Sequence, residues 1–254
     1  MSKKIKRLSK ARFLALSYSR SPYASLIAEE LEWYADNNEN IIAALTKDNF
    51  DEDYGYVILW RDERMLFRAI DLNVSYANIE EARLELMKKI AEYKAQGQRV
   101  FSQGDAKKKK SEIYHQRVPD DKLHPFYKKL TEHEGYSPAK EIIQEIAFAF
   151  EDPDGNYIEQ FQGSGFNARL WELFLYAFLH EEEVDISRDY SAPDYICEKY
   201  GIKFCIEATT VNPSENEQTI FAPKNVSERE EYINNYMPIK FGSTLYSKLK
   251  KRYW

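Results

Sequence analysis

The chain has 254 residues, of which 43% are hydrophobic and 15% aromatic, enough for one large domain or two smaller ones and too rich in aromatics for a disordered chain. A formal charge of −6 excludes a uniformly basic coat for nucleic acid, although 36 Lys and Arg can still segregate onto one face. No stretch approaches the roughly 20 apolar residues of a membrane span. The opening MSKKIKRLSKARFLALSYSR also lacks an apolar run of signal length, so the chain reads as soluble and cytoplasmic, with no membrane partner.

SPYASLIAEELEWYA predicts a helix, with Ser21 as N-cap and Pro22 at its first position. IIAALTKD, YGYVILWRD and MLFRAIDL predict three short strands, the last two joined by a tight turn around Asp62 and Glu63. In NIEEARLELMKKIAEYKAQ, the spacing of Ile79, Ala82, Leu86, Ile90 and Tyr93 predicts an amphipathic helix. Residues 1–104 therefore read as a small α+β N-terminal domain. Residues 105–135 read as a basic, polar linker, whose run Lys107 to Lys110 is either a solvated segment or a row of phosphate contacts.

Residues 136–254 read as a second domain, opening on the helix SPAKEIIQEIAFAF. In EDPDGNYIEQFQ, Asp152, Asp154 and Asn156 suggest a calcium loop. The glycine comes too early for one and the distal glutamate is missing, so a Pro-Asp-Gly turn fits better. RLWELFLYAFLHEEE follows as a helix apolar nearly all round, which predicts burial, with Leu170, Phe174, Ala177 and Phe178 lining one face. Arg169 and Glu172 interrupt it at i and i+3, on one side, where a structural ion pair is the plain alternative to function.

VDISRDYSAPDYICEKYG and IKFCIEATT predict three strands, the last two meeting at a turn over Lys199 to Gly201. Antiparallel pairing about that turn brings Asp194, at the start of one strand, to the far end of its partner, where Glu207 stands. A carboxylate in the middle of an apolar strand is costly unless something pairs with it, and a cation is the usual partner. Asp and Glu oxygens with open water positions suit Mg²⁺, which keeps several waters, or Mn²⁺. Alternation sets Lys203, Cys205, Glu207 and Thr209 on one face. Cys197 and Cys205 read as reduced core thiols. His115, His124, His133 and His180 lack metal-ligand spacing, and Ser164 lacks the flanking pattern of a nucleophile elbow.

Glu172 on a helix, Asp194 in APDYI and Glu207 in CIEATT resemble, in order and spacing, the PD-(D/E)XK nuclease superfamily with its restriction-endonuclease-like fold. QFQGSGFNARLWELFLYAFL, PDY and IEATTVNP together resemble a bacterial branch of it. The resemblance covers about residues 160–250. It implies an α/β (α+β) core with a mixed sheet flanked by helices, Asp194, Glu207 and Glu172 around Mg²⁺ or Mn²⁺, and hydrolysis of phosphodiester bonds in nucleic acid, with DNA as the expected substrate.

Thr209 stands where the superfamily has Lys, and a hydroxyl can hold a water but supplies no charge. Arg169 or Lys203 is expected to replace that charge, Arg169 first. FGSTLYSKLKKRYW predicts a helix that packs Leu245, Leu249 and Tyr246 on the sheet and leaves Lys248, Lys250, Lys251 and Arg252 in solvent. The chain then stops where another core strand is expected, which points to a fragment or to an open sheet edge available to a protein partner or a second copy. Two rival readings remain. One is a catalytically inactive nuclease-like fold serving as a nucleic-acid-binding or assembly module. The other is an α/β protein whose Glu172–Arg169 pair is purely structural.

Overall fold

The computed structural model describes residues 5–20, 27–104, 111–188, 192–211 and 223–250. It is a mixed α+β protein with a five-stranded and a three-stranded sheet. The chain forms two compact units, the first comprising Met1–His115 and Leu130–Phe150, the second Gln116–Lys129 and Glu151–Trp254.

The first unit is an antiparallel meander of β1 (Lys6–Leu8), β2 (Ala28–Ala35), β3 (Ile41–Asp48), β4 (Tyr54–Arg61) and β5 (Phe67–Tyr76). Both central strands are apolar on both faces because both faces are covered. Ile41, Ala43, Leu45, Tyr56, Ile58 and Trp60 pack on Ala82, Leu86 and Ile90 of α2 (Ile79–Ala95). Ile42, Ala44, Val57 and Leu59 pack with Leu8, Leu16 and Phe13, the last on α1 (Lys10–Ala15). The turn expected at Asp62 is present. Its buried carboxylate accepts from the amides of Arg64 at 2.8 Å and Leu66 at 2.9 Å.

Residues 28–35 are a strand where a helix is predicted, and Ser21 and Pro22 lie outside the described residues. AEELEWYA has helix-forming residues, but β1 and β3 flank it on both sides and supply its backbone hydrogen bonds. Glu32 lies between Arg83, at 2.9 and 3.0 Å, and Arg7, at 2.9 Å, and the Arg83 hydrogen bonds hold its carboxyl below the usual range. Tertiary partners override the local preference.

α4 (Ser137–Ala149) belongs to the first unit rather than to a domain beginning at residue 136. Its Glu145 reaches Arg61 Nη2 at 2.7 Å and Ser19 Oγ at 2.8 Å. α3 (Pro125–Glu132) precedes it, and the Lys107–Lys110 run lies outside the described residues.

In the second unit α5 (Tyr157–Gln162) and α6 (Phe166–Glu181) precede an antiparallel sheet of β6 (Asp185–Ser187), β7 (Tyr195–Lys199) and β8 (Ile202–Ile206). The sheet is antiparallel throughout its described strands rather than mixed. Asp152 closes the Pro-Asp-Gly turn by accepting from the amides of Gly155 and Tyr157 at 2.9 and 3.0 Å. α6 is buried on one side only, through Phe166, Glu172, Leu173, Ala177 and Leu179, whereas Phe174 and Phe178 are exposed. Cys197 is buried, but Cys205 is exposed because β8 is an edge strand, so only the first is a core thiol. α7 (Val226–Glu231), a π-turn over Tyr232–Tyr236 and α8 (Met237–Leu249) end the described chain.

Candidate functional site

Tyr200 and Gly201 both take positive φ, 53° and 75°, and form a two-residue turn of the kind whose twist matches antiparallel strands. That turn sets Lys199 against Ile202 and Tyr195 against Ile206. One more step in the same register places Asp194 directly across from Glu207. Backbone donors hold both carboxylates: the Asp194 amide donates to Glu207 Oε2 at 3.3 Å, and the Ala208 amide donates to Asp194 Oδ2 at 2.7 Å.

α6 meets this hairpin at Glu172. The buried Tyr195 hydroxyl donates to the Glu172 carbonyl at 2.6 Å, fixing the helix to the start of β7. Burial raises the Glu172 carboxyl against the opposing pull of Arg169, and the Asp194 charge raises it further. Burial also raises Asp194, opposed by the Ala208 amide, with Glu207 adding to the rise. Three carboxylates therefore share one electrostatic neighbourhood. Pairwise repulsion among partly desolvated acids is the condition a bound cation relieves.

Arg169 is fully engaged. Nη1 bridges both Glu172 oxygens at 2.6 and 2.8 Å, Nε donates to Gln160 Oε1 at 2.7 Å, and the guanidinium sits 5.5 Å from the centre of the Tyr157 ring. Lys203 lies 3.7 Å from Glu198 and is largely exposed. Thr209 follows the end of β8, partly buried.

Two cations at this site are missed by sequence reasoning. Arg188, just beyond β6, lies with its guanidinium carbon 5.2 Å from the centre of the Tyr195 ring, and its charge acts on Glu172, Asp194 and Tyr195. Lys248 of α8 makes an ion pair with Glu207 Oε1, so it does not point into solvent as expected. Leu245, Leu249 and Tyr246 are exposed instead of packed on the sheet. α8 turns Thr244 and Lys248, one turn apart and both partly buried, toward its neighbours, while the adjacent apolar stripe is outside. Lys251 and Arg252 lie outside the described residues.

Two of the histidines serve locally. His124 Nδ1 accepts from the Phe126 amide at 3.2 Å in the first turn of α3, and His133 Nδ1 accepts from the Gly135 amide at 3.1 Å. Ser164 is an exposed loop residue between glycines that lie tight against the preceding helix. A Cβ on Gly163 would meet the Glu159 carbonyl oxygen at 3.1 Å. In the first unit a cleft of about 490 Å³ is lined in part by Arg12, Glu39, Arg61, Glu141 and Glu145, whose charges pair with one another.

No protein-family model, curated protein or solved structure matches the chain. Among the described residues no helix is long and apolar enough to cross a membrane, and no group of three or more His, Cys, Asp or Glu forms a metal-binding cluster. Asp194 and Glu207 stand as paired oxygen donors across the hairpin, and Glu172 is held by Arg169.

Proposed function

We propose that the second unit is a restriction-endonuclease-like domain of a cytoplasmic, metal-dependent nuclease that hydrolyses phosphodiester bonds in nucleic acid, DNA first. The observation that carries this reading is the hairpin register that sets Asp194 across from Glu207, next to a helix-borne Glu172, in the order of the PD-(D/E)XK pattern. Two oxygen-donor side chains suit Mg²⁺ or Mn²⁺, which retain waters as their remaining ligands. When bound, such a cation activates a water and offsets charge on the phosphate.

The protein's own residues do the rest. Asp194 and Glu207 would hold the cation, Glu207 positioned by the Asp194 amide and Asp194 by the Ala208 amide. Glu172, kept in place by Arg169, adds negative charge on the third side and holds the helix against Tyr195. In this reading the Thr209 hydroxyl would hold a water. In the reaction a water oxygen bonds to phosphorus as the bond from phosphorus to the leaving oxygen breaks. The proton lost by the water goes to solvent, and the leaving oxygen takes one up.

A nuclease assay on labelled single- and double-stranded DNA and RNA with Mg²⁺ and Mn²⁺, comparing the wild type with Asp194→Ala, tests the reading. Metal-dependent cleavage lost in the variant supports it. Absence of cleavage with either metal on every substrate overturns it.

A second reading has its own support. Arg169 and Lys248 already balance two of the three carboxylates, the state of a nuclease-like module that binds nucleic acid or a protein without cutting. Salt-dependent DNA binding with no cleavage selects that reading.

A further inference from the structure

We propose that Lys248, delivered from the last described helix, is the lysine of this site, taking the place that Thr209 leaves without charge. The inference rests on the nuclease reading and deepens it by naming the group that meets the phosphate.

Arg169 and Lys203, the replacements expected from the sequence, do not serve. Arg169 has its guanidinium shared between Glu172 and Gln160, so presenting it to a substrate would leave Glu172 buried and uncompensated. Lys203 is on the edge strand beside Glu198. Lys248 differs in both placement and freedom. Its ammonium pairs with Glu207 Oε1, the other oxygen of that carboxylate accepts from the Asp194 amide, and the lysine charge also acts on Asp194. Its side chain is 29% exposed, neither sealed in a core nor loose in solvent. It rides on a helix with no buried residue, whose Ile239, Phe241, Leu245 and Leu249 are exposed. The Lys248–Glu207 ion pair joins α8 to the site.

A lysine is suited to this position. Its ammonium is a compact charge with three donors on a flexible stem, able to leave one oxygen of Glu207 for a phosphate oxygen a few ångströms away. With no substrate it neutralises Glu207. With substrate it offsets the charge that builds on the non-bridging phosphate oxygens as water attacks. A positively charged group aimed at that charge typically changes the rate by about 10²–10³-fold.

The test uses the full chain, saturating Mn²⁺ and a labelled DNA duplex or single strand under single-turnover conditions, with Mn²⁺ affinity measured separately by titration. Lys248→Met should lower the cleavage rate about 100-fold or more while binding Mn²⁺ as tightly as the wild type or more tightly, because Glu207 loses its resident counter-ion. Lys248→Arg should recover at least about a tenth of the wild-type rate, since it restores charge and donors. Thermal unfolding of both variants near the wild-type temperature shows that the fold is intact. If the wild type cleaves and Lys248→Met cleaves equally fast, Lys248 is a structural partner and the inference is wrong, while the nuclease reading stands. If Lys248→Met loses Mn²⁺ binding together with cleavage, the lysine organises the carboxylates rather than meeting the phosphate, and the inference is again overturned. A wild type that binds Mn²⁺ but cuts nothing removes both readings.

Discussion

Asp194 and Glu207, opposite each other at the end of the β7–β8 hairpin, are clasped by main-chain hydrogen bonds that cross between them, at 3.3 Å to Glu207 and 2.7 Å from Ala208 to Asp194. Two acids that would repel are thereby held side by side by backbone donors. Local charge and local geometry pull in opposite directions, and the variants below separate them.

Asp194→Asn should leave the metal-free protein as stable as the wild type or more so. Burial, with Glu207 adding, raises the Asp194 pKa above its ordinary 3.8. For an acid shifted upward, the stabilising contribution is complete below the unfolded pKa and is lost as pH rises through the folded one. The gain from Asp194→Asn should therefore be visible at neutral pH and vanish below about pH 4. Mn²⁺ affinity should fall at least about tenfold, because one of two anionic ligands is gone. Thermal melts across pH and a metal titration read both.

Arg169→Met should cost about 3–5 kcal/mol in stability, because it leaves a buried Glu172 without its bidentate partner. The double variant Arg169→Met with Glu172→Gln should recover much of that loss. Urea unfolding of the three variants decides. An Arg169→Met protein as stable as the wild type would mean that the guanidinium is free to act at the site.

Gly201→Ala should destabilise by about 1 kcal/mol, the cost of placing an L side chain at φ 75°. Because this turn sets the register of Asp194 and Glu207, metal affinity should weaken as well. A variant that loses stability but binds metal unchanged would show that the clasp holds the register without the turn.

His124 should make the second unit sensitive to acid. Burial lowers its pKa below 6.5, and in the neutral form Nδ1 accepts from the Phe126 amide. A base shifted downward contributes stability above its unfolded pKa, which is lost as pH falls through the folded one. His124→Asn keeps an acceptor and removes the titration. The stability difference between wild type and variant should change between about pH 7.5 and pH 5, against the wild type. Parallel melting curves across that range would contradict the assignment.

Glu145→Ala should cost about 3–5 kcal/mol in the first unit. Arg61, whose side chain is 4% exposed, would lose its 2.7 Å carboxylate partner in the core. Its guanidinium would keep the Met65 carbonyl and the face of Phe67, 3.7 Å away, but no counter-charge. Hydrogen exchange should show the loss in β3, β4 and α4 together. A loss confined to α4 would mean that this helix is not part of the cooperative unit.

What the sequence by itself determined is local. The stripe Ala82, Leu86 and Ile90 specifies α2, the apolar runs of β3 and β4 specify strands covered on both faces, and Tyr200-Gly201 between strand-forming runs specifies the hairpin and so the approach of Asp194 to Glu207. These features follow from periodicity and turn chemistry within a few residues. Tertiary structure decided the rest. AEELEWYA becomes a strand because neighbours on both sides take its backbone groups and because Arg7 and Arg83, distant in sequence, take Glu32. The terminal helix shows its leucines to solvent because its partner is a carboxylate rather than an apolar sheet, an outcome its own spacing does not encode. Lys248 and Glu207 are 41 residues apart, and nothing local to either names the other. An ion pair between distant segments has no sequence period. It forms only where the folded chain brings the two charges together.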